Sequence, residues 1–431
     1  MRARPTAHPS ADFETNPAAA SRFQPRAGRR AAASAIAGSL GQWLARQVLR
    51  AAGSPAVRLV FPDGREVSAT PAAPVARLHL REPRALPGLV LDPELRFGDA
   101  YAAGQIEVQG DLVRFIEEAY QASPSAQGLV PAAGRVLARL HRPRPNTLEG
   151  SRQNIHHHYD LGNDFYRLWL DDQLVYTCAY FHDPEITLEQ AQVAKMHHVC
   201  RKLRLQPGET VAEAGCGWGA LALHMAREHG ARVRAFNVSR EQIAWARERA
   251  RREGLGGLVE FVEDDYRNIT GRYDAFVSVG MLEHVGREHY RELGRVIDRS
   301  LTATGRGLLH SIGRNRPAPL HRWIEQRIFP GAYPPTLREM MEVLEPHDFS
   351  VLDVENLRLH YARTLEHWLE RFEKASEQVR EMFDERFVRA WRLYLAGSIA
   401  GFTTGNLQLF QVLFSRPRLN AVPWTRAHLY S

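Results

Sequence analysis

The residues best suited to chemistry fall in short segments that the folded chain would have to bring together. Residues 211–219, Val-Ala-Glu-Ala-Gly-Cys-Gly-Trp-Gly, pass from an apolar stretch through Glu213 into glycines at alternate positions, Gly215, Gly217 and Gly219. Glycine lets the backbone turn sharply and lets a ligand approach closely. The spacing is not the G-x-G-x-x-G that seats a pyrophosphate on a helix N-terminus. The loop therefore suits a nucleoside without a diphosphate, such as S-adenosylmethionine, with a plain tight turn as the alternative. Roughly twenty residues further on, Asn237 stands where nucleoside-binding sheets offer a side chain to the ribose hydroxyls. As an amide it can hydrogen-bond but brings no charge. Ser239 then reads as the cap of a helix whose first turn holds Gln242. Three further apolar runs end in Asp264-Asp265-Tyr266, in Gly280-Met281-Leu282-Glu283-His284 and in His310-Ser311-Ile312. A carboxylate such as Glu283 at the end of a buried run can act on a polar ligand; it can also cap a helix. His310 reads equally as a satisfied core histidine. Cys178, within the aromatic segment Tyr176-Thr177-Cys178-Ala179-Tyr180-Phe181, reads on composition as a buried structural cysteine. Tyr361 carries almost no independent signal.

Positioning these residues requires a sheet. Val211–Ala214 reads as a strand and Ala220–Glu228 as the helix after the glycine turn. Ala231–Val238, Leu258–Val262, Tyr273–Val279 and Gly307–Ile312 read as further strands. Their polar residues gather at the carboxyl ends, where open α/β sheets bind ligands. Upstream, Val57–Leu80 alternates about Pro62-Asp63-Gly64 and reads as a hairpin, and Leu112–Ala122 as an amphipathic helix. Leu393–Phe414 is apolar but interrupted by Gly397, Gly401, Asn406, Gln408 and Gln411, and reads as a buried, broken helix rather than a membrane span.

A chain of 431 residues suggests two domains and a tail. The divisions are a disordered, Pro/Ala/Ser/Arg-rich tail at 1–30, an N-terminal domain at 31–125 and a basic, proline-bearing linker at 126–150. A catalytic domain follows at 151–418, then a C-terminal tail at 419–431. Ala31–Ala52 reads as a helix with Ile36, Leu40, Trp43, Leu44, Val48 and Leu49 on one stripe; it is too rich in Ala, Ser and Gly for a good signal peptide. The cysteines, Cys178, Cys200 and Cys216, lack metal spacing and are odd in number, which fits a reducing cytoplasm and no disulfide framework. Adjacent His156, His157 and His158 would diverge on a helix, so no metal is expected. The net charge of +7 favours an acidic partner. Lys occurs only at 195, 202 and 374; the remaining basic residues are Arg, which forms bidentate contacts with phosphate. Codon bias would give the same Arg excess.

Several segments together resemble a known family. His158-Tyr-Asp-Leu-Gly-Asn-Asp-Phe-Tyr166, Tyr176–Phe181, Gly215–Gly219, Asp265-Tyr-Arg267, Val279–Gly286, His310–Gly313 and Phe329-Pro-Gly331 stand in the order seen in cyclopropane-fatty-acyl-phospholipid synthases and mycolic acid cyclopropane synthases. The likeness runs from about Ile155 to Arg416, and Phe97–Leu112 resembles the accessory domain of longer members. It implies an α/β fold: a class I methyltransferase, Rossmann-like sheet of seven strands with helical insertions, plus a small N-terminal α/β domain. It implies S-adenosylmethionine held by Tyr176, Thr177, Gly215, Cys216, Gly217, Gly219, Asn237, Gln242, Asp265 and Tyr266. It also implies a bicarbonate ion as general base, surrounded by Cys178, Glu283, His310, the backbone of Ile312, and Tyr361. The activity implied is methylene transfer to the double bond of a phospholipid acyl chain by a cytoplasmic enzyme peripheral to the bilayer. No nucleic-acid partner is expected, and a homodimer is left open. Methyl or methylene branching without ring closure, small-molecule N-methylation and non-catalytic binding of S-adenosylmethionine or lipid are the alternatives. The chain departs from the family at Tyr333 (often Leu), Pro335 (often Ser), Ser398 (Cys in several members) and Asn237 (commonly Thr). The first two bear on chain and product specificity.

Overall fold

The computed structural model describes residues 39–50, 52–122 and 161–430. The readings of residues 1–30, of the linker at 126–150 and of His156–His158 fall outside them.

The first sheet has four strands in the order β2-β1-β3-β4: β1 (Val57–Val60), β2 (Glu66–Val67), β3 (Ala76–Leu80) and β4 (Ile106–Gly110). β1 and β2 form the expected antiparallel hairpin about Pro62-Asp63-Gly64. The rest of Val57–Leu80 departs from that reading, because β3 runs parallel to β1, with Leu59 opposite Leu78. The stretch between β2 and β3, bearing Pro71 and Pro74, carries the chain back so that it restarts in the same direction. The helix at 39–50 buries Ala45 and Leu49 but leaves Leu40 52% and Trp43 55% exposed. The expected single apolar stripe is thus split between core and solvent.

The second sheet has seven strands in the order β10-β11-β9-β8-β5-β6-β7. Their ranges are β5 Thr210–Ala214, β6 Arg232–Asn237, β7 Val259–Glu263, β8 Tyr273–Val279, β9 Leu301–Gly313, β10 Ser350–Asn356 and β11 Gln408–Ser415. β5 to β9 pair in parallel, and β11 inserts antiparallel between β9 and β10. Ala212 and Ala214 on β5, and Ala275, Phe276 and Val277 on β8, are inaccessible to solvent, as strands covered by helices on both faces must be. The chain winds outward from β5 to β7, then returns to the other side of β5 as β8. That reversal opens a crevice at the carboxyl ends of β5 and β8.

Leu393–Phe414 is not one helix. A helix covers Glu385–Thr403 and β11 begins at Gln408, after a turn with Gly405 at φ +78°. Short apolar runs have no periodicity that separates a buried helix from a two-sided strand, and here the glycine turn decides.

The two sheets share one apolar cluster, which extends from Leu59 and Phe115 through Tyr101 to Trp323, Trp391 and Phe402. Polar contacts across this junction are specific. Arg389 donates to the carbonyls of Tyr101 (2.6 Å) and Ile106 (2.9 Å), and Arg327 grips both oxygens of Asp99 at 3.0 Å. Gly98 lies against Trp323 so closely that a Cβ would sit 2.4 Å from the indole. Gly98→Val is therefore expected to lower stability by about 1–3 kcal/mol through overpacking. Thermal unfolding checks this; an unchanged Tm would show that the junction is loose.

Candidate active site

The glycine loop follows β5 directly, and its glycines do different things. A Cβ on Gly217 (φ +53°) would meet nothing within 4 Å, so the loop presents bare backbone to the crevice. A Cβ on Gly215 would press on Met281 at 3.0 Å. Gly219, expected at the cofactor, does not line the crevice. A Cβ there would meet Phe261 at 2.5 Å and Ala246 at 2.9 Å, so this glycine lets the next helix seat against the sheet.

The other expected cofactor residues do line the crevice: Tyr176, Thr177, Gly215, Cys216, Gly217, Asn237, Gln242, Asp265 and Tyr266. Asn237 closes the end of β6, donating to Gln242 Oε1 at 2.7 Å and to the Gly217 carbonyl at 3.3 Å. One amide thus ties the loop to the first turn of the following helix. Asp265, 1% exposed, accepts from the backbone N–H of Arg267 at 2.9 Å and from its guanidinium at 3.2 Å. Tyr176 exchanges a hydrogen bond with the Tyr394 hydroxyl at 2.8 Å.

The sequence does not disclose the ionisable floor of the crevice. Glu213, the acid just before the glycines, is buried there beside Lys195. Burial pushes the carboxyl up to about 8, which the Lys195 charge opposes. Burial likewise lowers the Lys195 ammonium to about 8, against the fields of Asp171, Cys178 and Glu213. Lys195 donates to Thr177 Oγ1 at 3.0 Å, and Glu213 Oε2 is buried without a partner. Asp264, Met281 and His284 also line the crevice; burial lowers His284 to about 4. A signal for Lys195 existed: in an Arg-rich chain, two of the three lysines, Lys195 and Lys202, share one helix (Leu188–Leu203), and both are 2% exposed.

Behind the crevice lie the residues expected around the base. Gly280 lines the crevice and donates to the His310 carbonyl at 2.8 Å. Glu283, in the short helix Leu282–Val285, is 5% exposed. Its Oε1 accepts from the Ile312 N–H at 2.6 Å, while Oε2 is buried with no partner. Burial raises this carboxyl to about 7, opposed by backbone N–H donors, including that of Ile312, and by the Ser311 hydroxyl. His310, on β9, faces Gln411 of β11, whose amide nitrogen lies 3.0 Å from Nδ1. A donor at Nδ1 leaves the ring proton on Nε2, which is buried and unpartnered. Burial lowers His310 to about 3, so the ring is neutral.

Cys178 is fully buried. Its Sγ points at the carbonyls of Ala179 (3.1 Å) and Leu357 (3.9 Å), and burial pushes its thiol far up. It is therefore a protonated donor, not a nucleophile. Leu357 is the connecting element. Its N–H binds Leu409, which pairs with Ile312, and its carbonyl accepts from Tyr361 N. Tyr361 lies in the first turn of a helix (Arg358–Lys374), its ring stacked on Phe402 at 4.7 Å and edge-on to Trp368. The backbone of Ile312, expected beside the anion, gives its N–H to Glu283 Oε1.

The strand order, the single reversed strand beside the edge and the glycine loop at the reversal point define a class I S-adenosylmethionine-dependent methyltransferase. More specifically, residues 147–412 match the profile of the mycolic acid cyclopropane synthetase family, and the chain belongs to it. Residues 44–128 match a separate domain of unknown function. A "Probable fatty acid methyltransferase" of Pseudomonas putida is 36% identical over 393 residues, 87% of this chain and 96% of its own length. The cyclopropane-fatty-acyl-phospholipid synthase of Escherichia coli K12 is 41% identical over 260 residues, covering 60% of this chain and 66% of that protein. Among solved structures, the mycolic acid cyclopropane synthase CmaA1 complexed with SAH and CTAB superimposes with a TM-score of 0.59 at 29% identity, over 61% of this chain and 98% of that one. The protein is thus an S-adenosylmethionine-dependent enzyme of the cyclopropane synthase type.

Proposed function

We propose that the enzyme transfers a methylene unit from S-adenosylmethionine to the double bond of an unsaturated acyl chain in a membrane phospholipid, closing a cyclopropane ring. The observation that carries this reading is that Glu283 Oε2 and His310 Nε2 are buried without partners, on residues tied to the crevice side by backbone bonds, His310 to Gly280 and Glu283 to Ile312. An unpaired buried group costs about 1–3 kcal/mol, so each of these atoms calls for a polar partner that the chain itself does not supply. The name of the E. coli relative supports the substrate class.

The crevice fits the cofactor. Bare backbone at Gly215 and Gly217 and the side chains of Tyr176 and Thr177 would hold the methionine end, Asn237 and Gln242 the ribose, and Asp265 and Tyr266 the base. Bound there, S-adenosylmethionine supplies a methyl group made electrophilic by its sulfonium. The base site fits bicarbonate, which would supply a weak base small enough for an enclosed space. His310 Nε2–H would donate to that anion and fix its orientation. Glu283 Oε2 would accept from it and exchange a proton, since a carboxyl near pH 7 moves protons readily in either direction. Methylation puts positive charge on the former double bond, and water would capture that cation as an alcohol. Tyr361, Trp368 and Phe402 are buried, and a wall of such rings would help to keep water from that cation.

A second reading, methyl branching without ring closure, is favoured by the P. putida relative, matched over nearly its whole length. Mass spectrometry and proton NMR of lipids from cells expressing the protein separate the two. Cyclopropanation adds one CH2 and removes the olefinic signal, whereas methyl transfer followed by proton loss without ring closure adds the same mass and leaves a double bond. Unmodified acyl chains would sink both.

Attachment to the cytoplasmic membrane surface is part of this reading. Among the described residues no helix is long and apolar enough to cross a membrane, while exposed Leu40 and Trp43 stand beside exposed Arg46 and Arg50. Binding to anionic vesicles is expected to weaken as salt rises, the Debye length shrinking to about 3 Å at 1 M. Co-sedimentation indifferent to salt and to anionic lipid would contradict it.

A further inference from the structure

Where the helices Leu188–Leu203 and Ala220–His229 pack together, three histidines that the mechanism does not use converge. His197 lies on the helix Leu188–Leu203, and His224 and His229 on the helix that follows the glycine loop, Ala220–His229. One ring nitrogen from each lies within 4.8 Å of the other two. Among the described residues this is the one such cluster of histidine, cysteine or carboxylate groups. His224 is 2% exposed, and its Nε2 has no partner; His229 Nε2 is likewise buried and unpartnered. The His197 and His224 rings meet edge to face with centroids 4.3 Å apart.

We propose that His197, His224 and His229 form a binding site for a divalent transition-metal ion, zinc in the cell, that clamps these two helices together. The chemistry fits. Three imidazoles are a recurrent zinc ligand set, with a fourth position left to solvent. Nitrogens bound tetrahedrally to zinc lie about 3.3 Å apart, so small side-chain rotations close the observed spacing. His197 and His229 are half-buried, which leaves an entry path. Without an ion, two buried ring nitrogens go unpaired in an otherwise well-packed helix contact; with one, both are satisfied.

The ion would bridge two helices. One helix carries Lys195 of the crevice floor, and the other begins at the glycine loop, so the ion would fix the two against each other. The sequence gives no hint of it: the spacings, 27 and then 5 residues, match no familiar ligand pattern, and only the packing of the helices makes the cluster.

The test uses the full chain without a histidine tag, purified without metal-affinity resin, loaded with Zn2+ and dialysed. Elemental analysis is expected to find about one zinc per chain, and loading with Co2+ to give the intense visible bands of a tetrahedral site. His224→Ala is expected to lose the bound ion and the cobalt bands. Should His224→Ala fail to fold, His197→Gln, at a half-buried position, is expected to do the same. A triple Asn variant at His156, His157 and His158 is expected to keep the ion. Zinc below about a tenth of an equivalent, or zinc retained in both single variants or lost in the triple variant, would overturn the proposal.

Discussion

Glu283→Gln is expected to retain cofactor binding and lose ring formation by roughly 100- to 10,000-fold, the range for removal of a positioned general base or its relay. The structure explains why so small a change has so large an effect. Glu283 Oε1 is committed to the Ile312 N–H at 2.6 Å. In the glutamine variant the amide oxygen must take that place, which puts an NH2 donor where Oε2 would accept a proton. The polarity of the one free atom is inverted. A pH dependence follows. Burial holds the Glu283 carboxyl at about 7, so it is neutral below that pH and an acceptor only above it. The wild-type rate is expected to rise through pH 7, and this limb is expected to vanish from the residual activity of Glu283→Gln. The same shift costs stability. A carboxyl with its native pKa raised from 4.5 to about 7 destabilises the fold as pH rises between those values, because the unfolded chain loses its proton first. Rates of cofactor turnover and of ring formation, measured together across pH, separate methyl transfer from proton removal. A variant making cyclopropane lipid at near wild-type rate would remove Glu283 from the mechanism.

Gly217→Val is expected to weaken binding of S-adenosylhomocysteine by roughly 100-fold or more, about 2.8 kcal/mol. Space beside Gly217 is open to the crevice, so the new side chain projects where ligand would lie. The positive φ adds about 1–2 kcal/mol of backbone strain, which leaves the fold standing at a lower Tm. Gly219→Val is the contrast. It strikes Phe261 and Ala246, and is expected to unfold the helix–sheet contact rather than block a ligand. Calorimetry for binding and a thermal melt for stability distinguish the two glycines. Full-strength binding by Gly217→Val would move the cofactor elsewhere.

Much of the central sheet is legible in the sequence, because strands covered on both faces are written as unbroken apolar runs ending in polar turns. β8 falls at Tyr273–Val279, as read, and β6 and β7 within a residue of expectation. What failed is what needs tertiary context. The parallel pairing of β3 with β1 depends on where the chain returns, and the strand nature of Gln408–Ser415 on the slot waiting between β9 and β10. At the site, alternate glycines mark the loop, but only the structure shows that Gly219 serves packing. Lys195 stayed hidden because lysine on a helix ordinarily faces water; its burial follows from Glu213 and Thr177 lying across from it. The bond from the Ile312 N–H to Glu283 depends on sub-ångström geometry that no spacing encodes.

The most direct test of the proposed activity supplies purified protein with S-adenosylmethionine carrying a 13C-labelled methyl group and vesicles of an unsaturated phospholipid, then follows the label by NMR. The account predicts that 13C enters the acyl chain as a ring CH2 while one double bond, two olefinic carbons, disappears for each ring CH2 formed. Label in an exocyclic methylene or a branch methyl, in a headgroup amine, or nowhere in the lipid would contradict it.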